Sequence, residues 1–265
     1  MLGKKGALKV FGIILVAAMI STAFIGCLGA SGSAVDKIKN RGTLIVGTSS
    51  GFVPFEQFNA TSGQVEGFDI DIANAIAKRL GVTVTIRDMG FEALVGAAVT
   101  GTVDIVAAGM TISDARNQSV LFSEPYYGPA NQAIIVANTT TDISSPADLN
   151  GKRIAVNTAT TGDFFVSDPS NVPNPANILR YPFAFTAIQV LKAGGADAVV
   201  IDSPTAAAFV KQTTGIKVVY TIVTNEYYGI AMRKSATDLR DTINSVINDL
   251  KSSGQYDQLI AKWFG

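Results

Sequence analysis

The clearest periodicity in the chain lies just after Gly67. Phe68, Ile70, Ile72, Ala73, Ile76, Ala77 and Leu80 recur there at helical spacing, and Gly81 supplies the stop that such a helix needs. Asp69 and Asp71 fall in its first turn, where the helix dipole favours carboxylates. Ahead of it, the β-branched run 43–46 predicts a strand, followed by a turn-rich loop over 48–54. A strand over 82–86, a helix over 91–99 and a strand over 103–108 come next. The succession is βαβαβ, which predicts a parallel sheet covered by helices.

The same alternation then restarts. Strands are predicted over 132–137 and 153–156, a helix from Phe164, a strand over 176–181, a helix over 187–193 and an apolar strand over 198–201. Between them, 168–175 contains three prolines and reads as an irregular loop. Two further strands, 221–223 and 228–232, precede a long amphipathic helix whose apolar stripe is Leu239, Ile243, Val246, Ile247 and Leu250. A short helix ending in Trp263-Phe264 closes the chain. Two successive α/β blocks predict two lobes.

The first 26 residues follow a different pattern. Lys4, Lys5 and Lys9 precede an apolar run over 10–20, and Phe24-Ile25-Gly26 leads into Cys27, the only cysteine. The run is short for a bilayer core of about 30 Å. It reads as an export signal over 1–26 that is removed ahead of a lipidated Cys27, with 27–37 as the lipidated N-terminus and linker. The site resembles the bacterial-type lipobox, with Phe24 where Leu is usual. The expected location is extracytoplasmic, anchored to the outer face of the cell membrane. Secretion after cleavage nearby and an uncleaved anchor are the alternatives.

Charge and composition narrow the chemistry. The chain has 21 basic and 21 acidic residues, and three of the lysines belong to the leader, so the remainder has 18 against 21 and a net charge of −3. That balance lacks the clustered cations needed to displace counterions from nucleic acid, which is therefore excluded as a partner. With Cys27 used as an anchor no disulfide can form, and stability must come from burial. Histidine is absent, which removes Ser-His and Cys-His nucleophile pairs, HExxH zinc sites and imidazole bases. Neither a Walker loop nor a dinucleotide fingerprint is present. No cofactor or metal is expected, and carboxylate chemistry or plain binding remains.

A set of motifs then occurs in order: Pro54-Phe55-Glu56, Gly67-Phe68-Asp69-Ile70-Asp71, Gly109-Met110-Thr111-Ile112-Ser113-Asp114-Ala115-Arg116, Phe122-Ser123, Tyr126-Tyr127, the run 196–202 and Lys262-Trp263-Phe264-Gly265. Together they resemble solute-binding protein family 3, the polar amino-acid-binding proteins that feed ABC importers, over about Leu44 to Gly265. The resemblance implies a two-lobed, type II periplasmic-binding-protein-like α/β fold. Each lobe would be a mostly parallel sheet with flanking helices, joined to the other by two hinge crossings near 127–130 and 226–229. Lobe 1 would comprise 38–127 plus 229–265, and lobe 2 would comprise 130–226. It also implies a free amino acid and a membrane permease as partners, and a monomer that closes on its ligand.

The candidate ligand contacts follow from residue chemistry read beside that resemblance. Arg116 offers a bidentate fork to a carboxylate, with Gly109 and the Thr111 hydroxyl on the same loop after a strand. A surface salt bridge from Arg116 to Asp114 or Glu124 is the alternative. Asp202, at the end of an apolar strand, offers an acceptor to an ammonium group, or else caps the helix that starts near Ser203-Pro204. The small-residue loop 158–162 brings backbone N–H groups and the Thr160 and Thr161 hydroxyls to complete the carboxylate cradle from the second lobe, or is simply a helix start. The resemblance makes Phe52 and Phe91 the aromatic walls, though Phe91 has an equal claim as a staple for its own helix.

Selectivity is read from what is missing. Relatives that take basic amino acids usually carry a carboxylate in the first binding loop, and 48–51 has none. Asn157 stands where a lysine would meet an acidic side chain. A buried charge without a partner is costly, so an uncharged polar amino acid is expected, with glutamine best suited to Ser49, Ser50 and Asn157. The expected function is delivery of that ligand to an ABC importer, without catalysis. A cyclohexadienyl or arogenate dehydratase-like enzyme on the same fold, and a ligand-binding sensor, are the alternatives.

Overall fold

Ser33 stands immediately before the first helix. In the computed structural model, which describes residues 32–265, its hydroxyl caps helix α1 (Ala34–Arg41) by accepting from Asp36 N at 3.1 Å. The Asp238 carboxylate accepts from Ala34 N at 3.3 Å and Val35 N at 2.8 Å. Residues 34–37, expected as linker, are therefore helical, because the neighbouring Ser33 hydroxyl and the distant Asp238 carboxylate satisfy the donors that a helix start leaves open. The leader and Cys27 lie outside the described residues.

Strand β1 (Thr43–Thr48) is followed by the hairpin strands β2 (Gln57–Asn59) and β3 (Gln64–Glu66), then helix α2 (Phe68–Leu80) and strand β4 (Thr83–Asp88). Helix α3 (Phe91–Thr100), strand β5 (Ile105–Val106), helix α4 (Asp114–Asn117) and strand β6 (Val120–Phe122) complete the first half. The second block runs through β7 (Tyr127–Ala137), β8 (Arg153–Asn157), α5 (Thr161–Ser167), β9 (Asn177–Tyr181), α6 (Ala184–Lys192), β10 (Ala198–Asp202), α7 (Ser203–Gln212) and β11 (Ile216–Tyr228). The chain then adds β12 (Ala231–Arg233), α8 (Thr237–Ser252) and α9 (Gln255–Phe264).

Two five-stranded sheets result, in the orders β4-β1-β5-β12-β6 and β11-β7-β10-β8-β9. The α/β periplasmic-binding-protein-like fold expected from the sequence is present: in each sheet four strands run the same way, and a single reversed strand, β12 or β7, makes the sheet mixed. β1 pairs in parallel with β4 and β5, whereas β12 runs antiparallel to β5 and β6. Likewise β8 is parallel to β9 and β10, while β7 runs antiparallel to β10 and β11. The antiparallel members are the strands that carry the chain between the sheets and back. Their reversal follows from connectivity, which a periodicity along one segment does not encode.

Other departures have local causes. The stretch read as two strands, 221–223 and 228–232, is one strand, β11, that breaks register between Ile222 and Glu226 and is followed by the short β12. Asn225 sits there at φ 51°, and Asn131 Oδ1 accepts from Thr224 N at 3.0 Å and Asn225 N at 3.1 Å. Helix α5 starts at Thr161, three residues before Phe164, because Thr160 caps it through Asp163 N at 3.3 Å. Only residues 105–106 of the expected strand 103–108 are strand, and β2, β3 and β6 have no counterpart in the sequence reading.

The aromatic residues gather where the chain crosses between sheets. Phe55 packs edge-on to Tyr127, Tyr228 and Phe264 at ring separations of 4.9, 5.2 and 5.2 Å. Trp263 Nε1 donates to Asp71 Oδ2 at 2.7 Å, which anchors α9 and seats Phe264 on this cluster. All five apolar-stripe residues of α8 are buried, as an amphipathic face requires. Gly67 lets the 54–56 turn lie against the start of α2, where a Cβ would stand 2.0 Å from the Phe55 carbonyl oxygen.

Candidate functional site

The loop after β5 is fixed from below. Asp69, fully buried at the start of α2, accepts from Gly109 N at 2.7 Å and from the Tyr126 hydroxyl at 2.6 Å. Burial pushes the Asp69 carboxyl up to about 7, although both hydrogen bonds pull it down. Gly109 has φ 54°, and a Cβ there would meet the Phe52 ring at 2.4 Å, so only glycine admits this aromatic wall. Ser113 then caps α4 by accepting from Arg116 N at 3.3 Å, which sets the direction of the arginine.

Arg116 is buried and spans the two sheets. Its Nη1 donates to the Thr111 carbonyl at 2.9 Å and its Nη2 to the Ala159 carbonyl at 3.0 Å, while the guanidinium lies 5.2 Å from the Phe91 ring centre. Neither Asp114 nor Glu124 pairs with it, so the surface salt bridge is not formed. Burial lowers its proton affinity, and the charges of Asp202 and Glu226 raise it again. Ala159 holds the left-handed φ of 61°, a conformation sparse for residues with a Cβ. That kink lies in the turn between β8 and α5, braced by Asp163, which accepts from Ala159 N at 3.0 Å.

Asp202 is at the N-cap position of α7 but makes no side-chain capping bond. Its Oδ1 instead accepts from the Tyr228 hydroxyl at 2.6 Å, and the carboxylate faces the space between the sheets. Burial first, and the neighbouring Glu226 second, push its carboxyl up to about 7. Asn157 donates through Nδ2 to the Tyr181 and Pro182 carbonyls, at 3.0 Å each, leaving its Oδ1 as the atom free to meet a ligand.

Nine of the ten candidate site residues, all but Ser49, line one cavity between the sheets. The walls are Phe52 and Phe91, with Gly109, Thr111 and Arg116 from one sheet and Asn157, Thr160, Thr161 and Asp202 from the other. The space they bound is about 220 Å³, with room inside for about one water-sized sphere. Ser49 is buried behind it, its hydroxyl without a partner. Ser50 donates from its backbone to Asp88 Oδ1 at 2.8 Å and from its hydroxyl to Asp88 Oδ2. A carboxylate thus stands beside the first binding loop after all, supplied by β4, whose end is in register with that of β1.

The role of Glu226, and its contacts with Gln132 and Thr224, were not read from the sequence. Glu226 is 8% exposed, and its carboxylate accepts from Thr111, Thr161, Gln132 and Thr224. The available signal was spacing: Ile222, Glu226 and Tyr228 are separated by even numbers and are all buried, so an acid sits on the apolar face of a strand. Glu56 is another buried acid, with neither carboxylate oxygen partnered. Burial, reinforced by Asp69, Asp88 and Asp202, drives its carboxyl far above the usual range. Among the described residues no cluster of three or more acidic, Cys or His side chains is arranged to hold a metal ion.

The family model described as bacterial extracellular solute-binding proteins, family 3, matches residues 44–265. A probable histidine-binding protein from Neisseria gonorrhoeae is 34% identical over 247 residues, covering 91% of each chain. Among solved structures, a mutant of ArgBP from T. maritima is 44% identical with a TM-score of 0.82, covering 87% of this chain and 99% of its own. An ancestral arginine-binding protein bound to glutamine is 41% identical with a TM-score of 0.79, covering 85% of this chain and 99% of its own.

Proposed function

The chain belongs to the bacterial extracellular solute-binding proteins of family 3, and from that premise we propose that it binds one polar amino acid between two lobes for delivery to an ABC importer. The observation that carries this reading is the pairing of one buried cation and one buried anion across a single cavity, Arg116 and Asp202, between the rings of Phe52 and Phe91. A zwitterion matches that arrangement with its carboxylate at Arg116 and its ammonium at Asp202. The lobes are 38–127 plus 229–265 and 130–226, and the segments that join them are the two crossings beside Tyr127 and Tyr228. Ligand bridging both lobes offsets the cost of closure, and the closed form is what a permease would receive.

The side chain is best met by a hydrogen-bond donor, since Asn157 presents an oxygen. Glutamine supplies that donor without bringing in a charge. Arginine and histidine, which appear in the names of relatives, are its competitors, and Asp88 beside Ser50 is the carboxylate that a cationic side chain would use. Thermal unfolding of the protein from residue 28 onward, stripped of ligand under denaturing conditions and refolded, against all twenty amino acids decides among them. A ligand at 100 times its Kd stabilises by about 2.7 kcal/mol, or about 5–10 °C for a chain of this size. A shift with glutamine supports the uncharged reading, a shift with arginine or histidine alone moves the side-chain contact to Asp88, and no shift with any of the twenty defeats amino-acid binding.

Anchoring through a lipidated Cys27 after removal of 1–26 belongs to the same proposal, with a monomer held at the outer face of the cell membrane. Metabolic labelling with a fatty-acid analogue should mark the wild-type protein and not Cys27→Ser. Equal label in both would remove the anchor.

A further inference from the structure

Resting on the amino-acid-binding reading above, we propose that Glu226 is a positioning residue for ligand selectivity, orienting the Thr111 and Thr161 hydroxyls as acceptors so that the cavity favours a ligand with an ammonium group. Both hydroxyls donate to one carboxylate oxygen, Oε2, from Thr111 at 2.6 Å and from Thr161 at 2.7 Å. A hydroxyl has a single proton, so one that donates to Glu226 can offer only lone pairs elsewhere. Thr111 and Thr161 both line the cavity, one from the loop after β5 and the other from the start of α5. Their natural partner is an N–H donor beside Asp202, which the α-ammonium group supplies.

The carboxylate is itself held in place. Glu226 Oε1 accepts from Gln132 Nε2 at 3.0 Å and from the Thr224 hydroxyl at 2.9 Å, and Gln132 Nε2 also reaches the Thr161 hydroxyl at 3.0 Å. The register break ahead of Glu226, with Asn131 holding the 224–225 backbone, re-aims the strand at this point. Four donors and a bulge therefore fix one acid whose only contact with the cavity is through two threonines. Without it the hydroxyls are free to rotate and donate to the ligand carboxylate instead, and discrimination in favour of the ammonium group weakens.

The test compares amino acids with their des-amino analogues by calorimetry: glutamine against 5-amino-5-oxopentanoic acid, and arginine against 5-guanidinopentanoic acid. Glu226→Gln should lower the amino-acid to des-amino affinity ratio at least tenfold. A purely structural role for Glu226 would weaken both ligands alike and leave the ratio where it was, which would overturn the inference. Thr111→Val, nearly isosteric, provides the same readout if Glu226→Gln does not fold. The inference requires its ratio to fall, because an acceptor for the ammonium is lost, whereas an unchanged ratio would mark Thr111 as a carboxylate donor and count against it. If the unfolding screen selects another amino acid, the same comparison is made with its own des-amino analogue, and binding of none of the twenty by the wild-type protein would overturn the functional reading and this inference together.

Discussion

Arg116→Ala should cost about 4 kcal/mol of amino-acid affinity, roughly a thousandfold, because it removes one partner of a buried, hydrogen-bonded charge pair and leaves the ligand carboxylate without a fork. The side chain also joins the Thr111 and Ala159 carbonyls across the cavity, so its loss uncouples the two loops that must meet on the ligand. Arg116→Lys keeps the charge but cannot reach both carbonyls and the ligand with one planar group, and it should recover only a small part of the affinity. Calorimetry at neutral pH provides the measurement. Near-normal affinity in Arg116→Ala would remove this residue from the site.

Asp202→Asn should separate binding from stability. In the unliganded protein the Asp202 carboxyl is pushed up to about 7, above its unfolded value of 3.8, so the native state binds more protons than the unfolded chain between those limits. Its contribution to stability is therefore complete at low pH and is lost as the pH rises through the folded value. Asparagine does not titrate, so the variant should be as stable as the wild type at pH 8, or more so. Asp69 is raised to about 7 by its own burial and changes over the same interval in both proteins, whereas Glu56 is raised partly by Asp202, so the difference between them reports Asp202 together with its effect on Glu56.

Binding should change in the opposite sense. An ammonium group needs the ionised carboxylate, so wild-type affinity should rise with pH, by up to about tenfold per unit, and level off above about 7. Asp202→Asn should bind at least about thirtyfold more weakly at pH 8, equivalent to about 2 kcal/mol, with little of that pH dependence. Titrations at pH 5.5 and 8 alongside urea unfolding would measure both halves. A variant that keeps its affinity and loses several degrees of melting temperature would return Asp202 to the role of a helix cap.

How far the site was legible depended on whether a residue's role is written in its own segment. Arg116, Asp202 and Gly109 were legible because each ends or follows an apolar strand, where α/β sheets expose their polar groups. Asp88 was not, since its link to Ser50 comes from the parallel register of β4 on β1, which brings together residues 38 positions apart. Ser49 was counted among the ligand contacts on the strength of its loop, but it lies just past the end of β1, buried and outside the cavity lining. Glu226 keeps even spacing with Ile222 and Tyr228, but the position between them on that face is the polar Thr224, so no apolar alternation marked the acid as buried.

By itself the sequence determined two α/β blocks, the core faces of α2 and α8 and the α/β class, because apolar periodicity and turn chemistry are local and each segment carries its own, while the residues of the cavity wall were chosen by their chemistry beside the family resemblance. Only the tertiary structure decided that the sheets are mixed, that Asp202 leaves its helix to meet Tyr228, and that Glu226 gathers Thr111 and Thr161. Those outcomes turn on which distant groups share a buried space, where each polar atom must find a partner or bear the cost of lost hydration. Such a constraint acts between segments far apart in the chain, and no pattern within one segment contains it.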